Sequence, residues 1–159
     1  MFTNINNYNV QELYSLYTSG EYEGFFRHME DFLNLEEFAQ VVSGYKWLSF
    51  EGGFISLDVR PKPKLCYVSI LVIKEEQLKG LGLKAMIAVS EYLFNNGIER
   101  LIVKVIEDDN HTVRMCEKGG FDMEGIYVNS CKTHGLYHNE LRFGISKETY
   151  FKKYGGSNG

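Results

Sequence analysis

The sequence predicts an α/β (α+β) fold: a single domain with a mixed, mostly antiparallel sheet of six to seven strands and helices on both faces. Three observations carry that expectation. Apolar residues recur at helical spacing through the N-terminal third and then gather into short strand-like runs. The segments read helices, three antiparallel strands, helix, strand, helix and two strands, an order that asks for a mixed sheet covered by helices. Midway, a strand, a glycine turn and an amphipathic helix follow one another across residues 68–84. The chain has 159 residues, 44% of them hydrophobic and 24% charged, which suits one globular core. A domain of this length buries roughly 70% of its unfolded surface and needs no staple. Residues 1–154 read as that domain, and 155–159, Gly-Gly-Ser-Asn-Gly, as a flexible tail.

The elements follow in order. Residues 1–5 are the one N-terminal strand candidate. Asn9 with Glu12 makes a capping-box pattern, and Val10, Leu13, Tyr14 and Tyr17 continue it as a helix. Thr18-Ser19-Gly20 breaks it. Tyr22, Phe25, Phe26, Met29, Phe32 and Leu33 form a second helical face. Asn34 with Glu37 starts a short helix that ends near Ser43-Gly44. Residues 45–50 and 54–59 flank Glu51-Gly52-Gly53, a hairpin signal, and Pro61-Lys62-Pro63-Lys64 turns the chain again. Residues 65–73 are a long apolar strand. The next helix carries Leu83, Met86, Ile87, Ser90, Leu93 and Phe94 on one face and stops at Asn95-Asn96-Gly97. Residues 101–106 form a buried strand and 112–119 a short helix. Residues 121–131 and 140–145 make a final antiparallel pair, with 147–154 a terminal helix.

Composition excludes several classes. A net charge of −4 argues against general nucleic-acid binding, which wants a basic face. No apolar run approaches the roughly 20 residues that span a bilayer, so no membrane partner is expected. The N-terminus lacks the basic region and apolar core of a secretion signal. Cys66, Cys116 and Cys131 are an odd count without metal-type spacing, so no metal is expected and a reducing, cytoplasmic location fits. The chain is expected to be a monomer or homodimer. The 11 Phe, 11 Tyr and 1 Trp read as an aromatic core or, for some of them, as the lining of a ligand pocket.

The most informative stretch is Val72-Ile73-Lys74-Glu75-Glu76-Gln77-Leu78-Lys79-Gly80-Leu81-Gly82-Leu83-Lys84. The first amides of a helix have no partner within it, and the helix dipole adds positive charge, so this junction suits a phosphate. Gly80 and Gly82 let the backbone approach a ligand. Lys79 and Lys84 add charge. A Walker loop would need Gly-Lys-Ser/Thr, which is missing. A dinucleotide fold would need a third glycine where Ala85 stands.

Gln77-x-x-Gly80-x-Gly82 resembles the Q/R-x-x-G-x-G/A motif of the GNAT family of N-acetyltransferases. Asp109-Asn110-His111-Thr112-Val113-Arg114-Met115-Cys116-Glu117-Lys118-Gly119-Gly120-Phe121 resembles that family's "N…A…LYEK-x-GF" segment. The resemblance runs from about Val10 to Ile145. It implies a GNAT-like fold and transfer of an acetyl group from acetyl-coenzyme A to a primary amine (a protein N-terminus, a lysine or a small amine) in a ternary complex. It also implies that Gln77, Leu78, Lys79, Gly80, Leu81, Gly82, Leu83 and Lys84 hold the pyrophosphate. Ile70, Leu71 and Val72 would lie along the pantetheine. Gly120-Phe121-x-x-Glu124-Gly125 and Gly135-x-Tyr137 look most like the ribosomal-protein and polyamine acetyltransferases.

The chemistry needs a proton acceptor for the amine, a donor for the oxyanion and a proton for the leaving thiolate. The family's usual acid is a tyrosine, and its position here is Cys116. That thiol is a proton donor, a nucleophile to be acylated, or a small buried apolar residue. If it is the last, solvent or another group protonates the thiolate, with Tyr127 the candidate substitute. The family asparagine falls on Asp109 by counting and on Asn110 by residue type, where it binds pantetheine or caps the next helix. The candidate bases are Glu51, Asp58, Glu107, Asp108, Glu124, His134 and His138; the run Glu107-Asp108-Asp109 follows a strand end, where a site carboxylate sits, or is a solvated charge cluster. The two histidines are expected in a turn over residues 133–139. Glu21, Glu23, Glu30, Asp31, Glu36 and Glu37 make the helical region acidic, which suits a cationic amine or simple solubility. Two other classes stay open: a non-catalytic acyl-coenzyme A-binding domain, and a structural protein that keeps only the fold.

Overall fold

The computed structural model describes residues 2–4 and 7–155. In chain order the elements are β1 (Thr3–Asn4), α1 (Asn7–Thr18), α2 (Leu35–Val42), β2 (Lys46–Phe50), β3 (Gly53–Arg60), β4 (Leu65–Val72), α3 (Leu81–Asn95), β5 (Arg100–Ile106), α4 (Asn110–Gly119), β6 (Asp122–Thr133), β7 (Leu136–Ser146) and α5 (Lys147–Tyr154). The strands form one seven-stranded sheet in the order β1-β2-β3-β4-β5-β7-β6. Every neighbouring pair is antiparallel except β4 with β5.

Alternation along the strands divides the side chains between two cores. Ile55, Leu57, Cys66, Val68, Val103 and Phe143 pack against α3 and α5 on one face. Trp47, Phe54 and Leu71 pack against Leu13 of α1 and Phe38 of α2 on the other. The second core is the aromatic one: Tyr17, Phe26 and Phe38 meet ring to ring.

Several sequence expectations hold. Asn34 and Glu37 form a full capping box at α2. Asn96 and Gly97 close α3, with Gly97 at φ +97 and the Ile98 amide reaching back to the Leu93 carbonyl. Others do not. Residues 20–34 form turns, not a second helix. Their apolar spacing fits a helix, but the segment is held by distant partners: the guanidinium of Arg27 bonds Glu140 and the Lys104 carbonyl. Within it Phe32 takes φ +60 and stands 99% exposed. Helix α1 begins before Asn9, so Asn9 is no cap, and its amide donates to Ser49 instead. Thr3 and Asn4 do pair with β2, while Met1, Ile5 and residues 156–159 of the expected tail lie outside the described residues. On α3 the buried face is Ala85, Met86, Val89, Ser90, Leu93 and Phe94, with Leu83 and Ile87 only partly covered. The β6–β7 turn is tighter than expected. His134 and Gly135, both at positive φ, make it, and His138 belongs to β7.

Candidate active site

The site begins where the sheet comes apart. Parallel strands β4 and β5 pair only at Leu65–Tyr67 with Arg100–Ile102. Beyond Tyr67, β4 runs on to Val72 without its β5 neighbour. Ile73 donates its amide to the Gly52 carbonyl, so that residue faces β3. Backbone groups alternate along a strand, so those of Ile70 and Val72 face the open edge. Leu71 turns its carbonyl to β3 and its side chain into the aromatic core.

The glycine loop lies at the end of that edge. Residues Lys74–Glu76 make one 3-10 turn, and Gln77 returns its side-chain amide to the Val72 carbonyl at 2.9 Å. Gln77 therefore braces the loop against β4. Leu78 takes φ +65 and is 88% exposed, a strained apolar residue on a loop that offers it nothing to pack against. Lys79 pairs with Glu76 at 3.0 Å. Gly80 caps α3 at φ +75, and a Cβ placed there would meet nothing within 4 Å. That vacant space, beside the unpaired amides of Leu81, Gly82 and Leu83, fits a pyrophosphate. Gly82 does something else. A Cβ on it would lie 3.0 Å from Met115 Sδ and 3.3 Å from Val72 Cγ2. Its missing side chain lets α3 pack on α4 and β4.

On the aromatic-core face a cavity of about 240 Å³ opens beside the same split. Trp47, Ser56, Asp58, Tyr67, Ser69 and Lys104 line it, with residues 25–29 above. Lys104 lies over the Tyr67 and Tyr127 rings, 4.9 and 5.5 Å from their centroids. Sequence reasoning missed Tyr67, Ser69 and Lys104. The signal was available as alternation: Cys66, Val68, Ile70 and Val72 face one core, which leaves Tyr67 and Ser69 for the other face.

The candidate catalytic groups are placed unevenly. Cys116 is 0% exposed, packed in the core with α3. Burial pushes its thiol up to about 12, and the charges of Asp109 and Glu117 push the same way. Such a thiol is neither a ready nucleophile nor within reach of a ligand. Tyr127 is 40% exposed, and its hydroxyl accepts from Arg142 at 3.1 Å. Glu107 is exposed just past β5, its carboxylate held by Asn139 at 2.9 Å. Register sets Tyr127 opposite Glu140 and Glu140 opposite Ile106, so Tyr127 and Glu107 share one end of the sheet. The helix cap belongs to Asp109, which accepts from the Thr112 amide at 3.1 Å. Asn110 is the exposed first residue of α4. Glu51 stands in the β2–β3 turn, Glu124 pairs with Arg100 and Arg142, and His134 pairs with Glu23. His138 is fixed between Asp108 and Thr133.

Glu140 is the buried charge of this face, its side chain 3% exposed. Burial alone would raise its pKa. Hydrogen bonds from His28 and Ser130, with the charge and hydrogen bond of Arg27, outweigh it and bring the carboxyl down to about 2. A carboxylate so depressed stabilises the fold above the ordinary glutamate range and loses that contribution as pH falls toward 2. We expect wild-type protein to lose of order 3 kcal/mol more than Glu140→Gln between pH 5 and 2, measured by denaturant unfolding. Parallel pH profiles would contradict that assignment.

The sequence model of the acetyltransferase (GNAT) family matches residues 10–121. The chain belongs to the GNAT family. It is an acetyl-coenzyme A-dependent N-acyltransferase, as the glycine loop and the open edge of β4 suggest. No curated protein matches the sequence. Solved GNAT structures share the fold at low identity. A spermidine N-acetyltransferase from Vibrio cholerae, in complex with CoA and spermine, superposes with a TM-score of 0.82 at 15% identity, covering 95% of this chain and 97% of that one. A ribosomal-protein-alanine N-acetyltransferase from Brucella melitensis gives 0.75 at 15% identity, covering 92% and 99%. An N-acetyltransferase from Staphylococcus aureus Mu50 gives 0.76 at 13%, covering 92% and 97%. Among the described residues no helix is long and apolar enough to cross a membrane.

Proposed function

We propose that this GNAT protein transfers acetyl directly to a primary amine, with both substrates bound together. The observation that carries the reading is the split between β4 and β5, which runs from the α3 N-terminus to the cavity beside Tyr67. The backbone of Ile70 and Val72 would hold the pantetheine as an added strand. The amides of Leu81, Gly82 and Leu83, with Lys79 and Lys84 nearby, would hold the pyrophosphate. Gln77, Leu78 and Gly80 shape that loop, and Asn110, the exposed first residue of α4, would bond the pantetheine. Acetyl-coenzyme A supplies the thioester. The nitrogen–carbon bond forms as the carbon–sulfur bond breaks, and a proton leaves the amine while another reaches the thiolate. Glu107 is the accessible carboxylate to take the first, and Tyr127 the accessible hydroxyl to give the second. Cys116 takes no part, because its thiol is sealed in the core. The three buried free cysteines suit a reducing cytoplasm.

The test is acetyl transfer to an amine panel, followed by thiol release and product mass. Cys116→Ala should keep kcat within about twofold while losing about 1–2 kcal/mol of stability to the small cavity it leaves. Intact-mass spectrometry of wild-type protein with acetyl-coenzyme A alone should show no acetyl adduct. An adduct on Cys116, or loss of turnover in a folded Cys116→Ala, would overturn direct transfer without a cysteine relay.

A further inference from the structure

We propose that the acceptor is a small amine that also carries an anionic group, a carboxylate or a phosphate, and that Lys104 is the residue that holds this anion. The inference rests on the acetyltransferase reading above and adds the acceptor's class. It comes from the pairing of charges on the cavity face.

Asp58, Glu124 and Glu140 already have their cations, and Glu107, past the end of β5, is held by the Asn139 amide. Asp58 accepts two bonds from Arg60, at 3.1 and 2.8 Å. Glu140 is closed off by Arg27 at 2.7 Å, His28 at 3.0 Å and Ser130 at 2.7 Å. Glu124 is shared by Arg100 and Arg142. Five cations, Arg27, Arg60, Arg100, Lys104 and Arg142, thus stand among Asp58, Glu124 and Glu140, with Glu107 a fourth carboxylate at the end of the sheet. The surplus is local, because the whole chain carries a net charge of −4. Lys104 is the cation left over. Among the described residues no carboxylate pairs with its ammonium, which instead sits above the Tyr67 and Tyr127 rings. Ring faces attract a cation without cancelling its charge. Lys104 is also well placed: it projects from the middle of β5 into the cavity, beside the point where β4 and β5 part.

A polyamine would need the reverse. Its second ammonium would find Asp58 as the one carboxylate lining the cavity, and Arg60 already grips that group in two places. The acidic residues of the N-terminal region do not line the cavity. Glu21 pairs with Lys74, Glu23 with His134, and the Glu37 carboxylate accepts from the Asn34 amide at the start of α2. An amine with an anionic end meets an unpaired ammonium on a rigid strand, and Tyr67 and Trp47 offer walls for the carbon chain between.

The test is a matched panel: amino acids and aminoalkyl phosphates, the corresponding neutral amino alcohols, and diamines and polyamines. We expect kcat/KM at least tenfold higher for one anionic series than for its neutral and cationic counterparts, and the two anionic series identify which anion is read. Lys104→Met should erase that preference mainly through KM. Lys104→Glu should turn it toward diamines. Thermal shift with acetyl-coenzyme A, run on the wild type and both variants, separates the two failures. Loss of the shift in the wild type would sink the acetyltransferase reading itself. A normal shift overturns the acceptor class alone if polyamines are the better substrates, if no anionic amine is accepted, or if Lys104→Met keeps the preference.

Discussion

Gly80→Asp should reduce acetyl-coenzyme A affinity by at least about 100-fold, roughly 2.7 kcal/mol, while leaving the protein folded. Gly80 sits at φ +75, a region that aspartate and asparagine tolerate better than other side chains. A Cβ there meets nothing within 4 Å, so the new carboxylate has room. It also stands where the unpaired amides of α3 converge, and it would repel a pyrophosphate that needs the same seat. Gly80→Asn has nearly the same shape without the charge and should lose far less. Calorimetric titration of both variants checks the pair. Equal losses would mean that the space, and not the anion seat, is what Gly80 provides.

Gly53→Ala should be the most damaging single change to the fold. A Cβ at Gly53 would lie 1.9 Å from the Leu71 carbonyl oxygen and 3.0 Å from the Phe50 ring. The first of these is backbone in the adjacent strand, so relief requires β3 and β4 to separate at the place where β4 must present Ile70 and Val72. We expect a loss of about 3 kcal/mol or more, and a melting temperature lower by about 6–12 °C. Thermal melts followed by circular dichroism check this. Gly82→Ala is the milder comparison, because Met115 Sδ belongs to a flexible chain that can give way.

The strands and the glycine loop were legible because their signals are local. Residues 65–73 read as a strand from composition, and Gln77, Gly80 and Gly82 read as a phosphate turn because the strand before and the helix after were both evident. The N-terminal third was not, since the apolar spacing of Tyr22 to Leu33 satisfies a helix equally well. The partner that anchors the segment lies far away in sequence: Arg27 pairs with Glu140 across 113 positions. The two glycines looked alike in sequence. Only the approach of Met115 on α4 shows that Gly82 serves packing and Gly80 the open space. Cys116 allowed three readings, and full burial selects the third. Lys104 carried no signal of its own, because a lysine within a buried strand looks like an ordinary outward position. It becomes a site only when β4 leaves β5 at Tyr67 and the carboxylates around it are seen to be paired. The acidic stretch from Glu21 to Glu37 suggested a cationic acceptor, yet none of those side chains lines the cavity.

We place acetyl-coenzyme A in the split between β4 and β5, with the glycine loop at its end. Thermal-shift titration tests it most directly. At 100 times its dissociation constant the ligand stabilises the protein by about 2.7 kcal/mol, which raises the melting temperature of a domain this size by about 5–11 °C. We expect a saturable rise of that size in the wild type and little or none in Gly80→Asp at the same concentration. A wild-type melting temperature unmoved by millimolar acetyl-coenzyme A would contradict it.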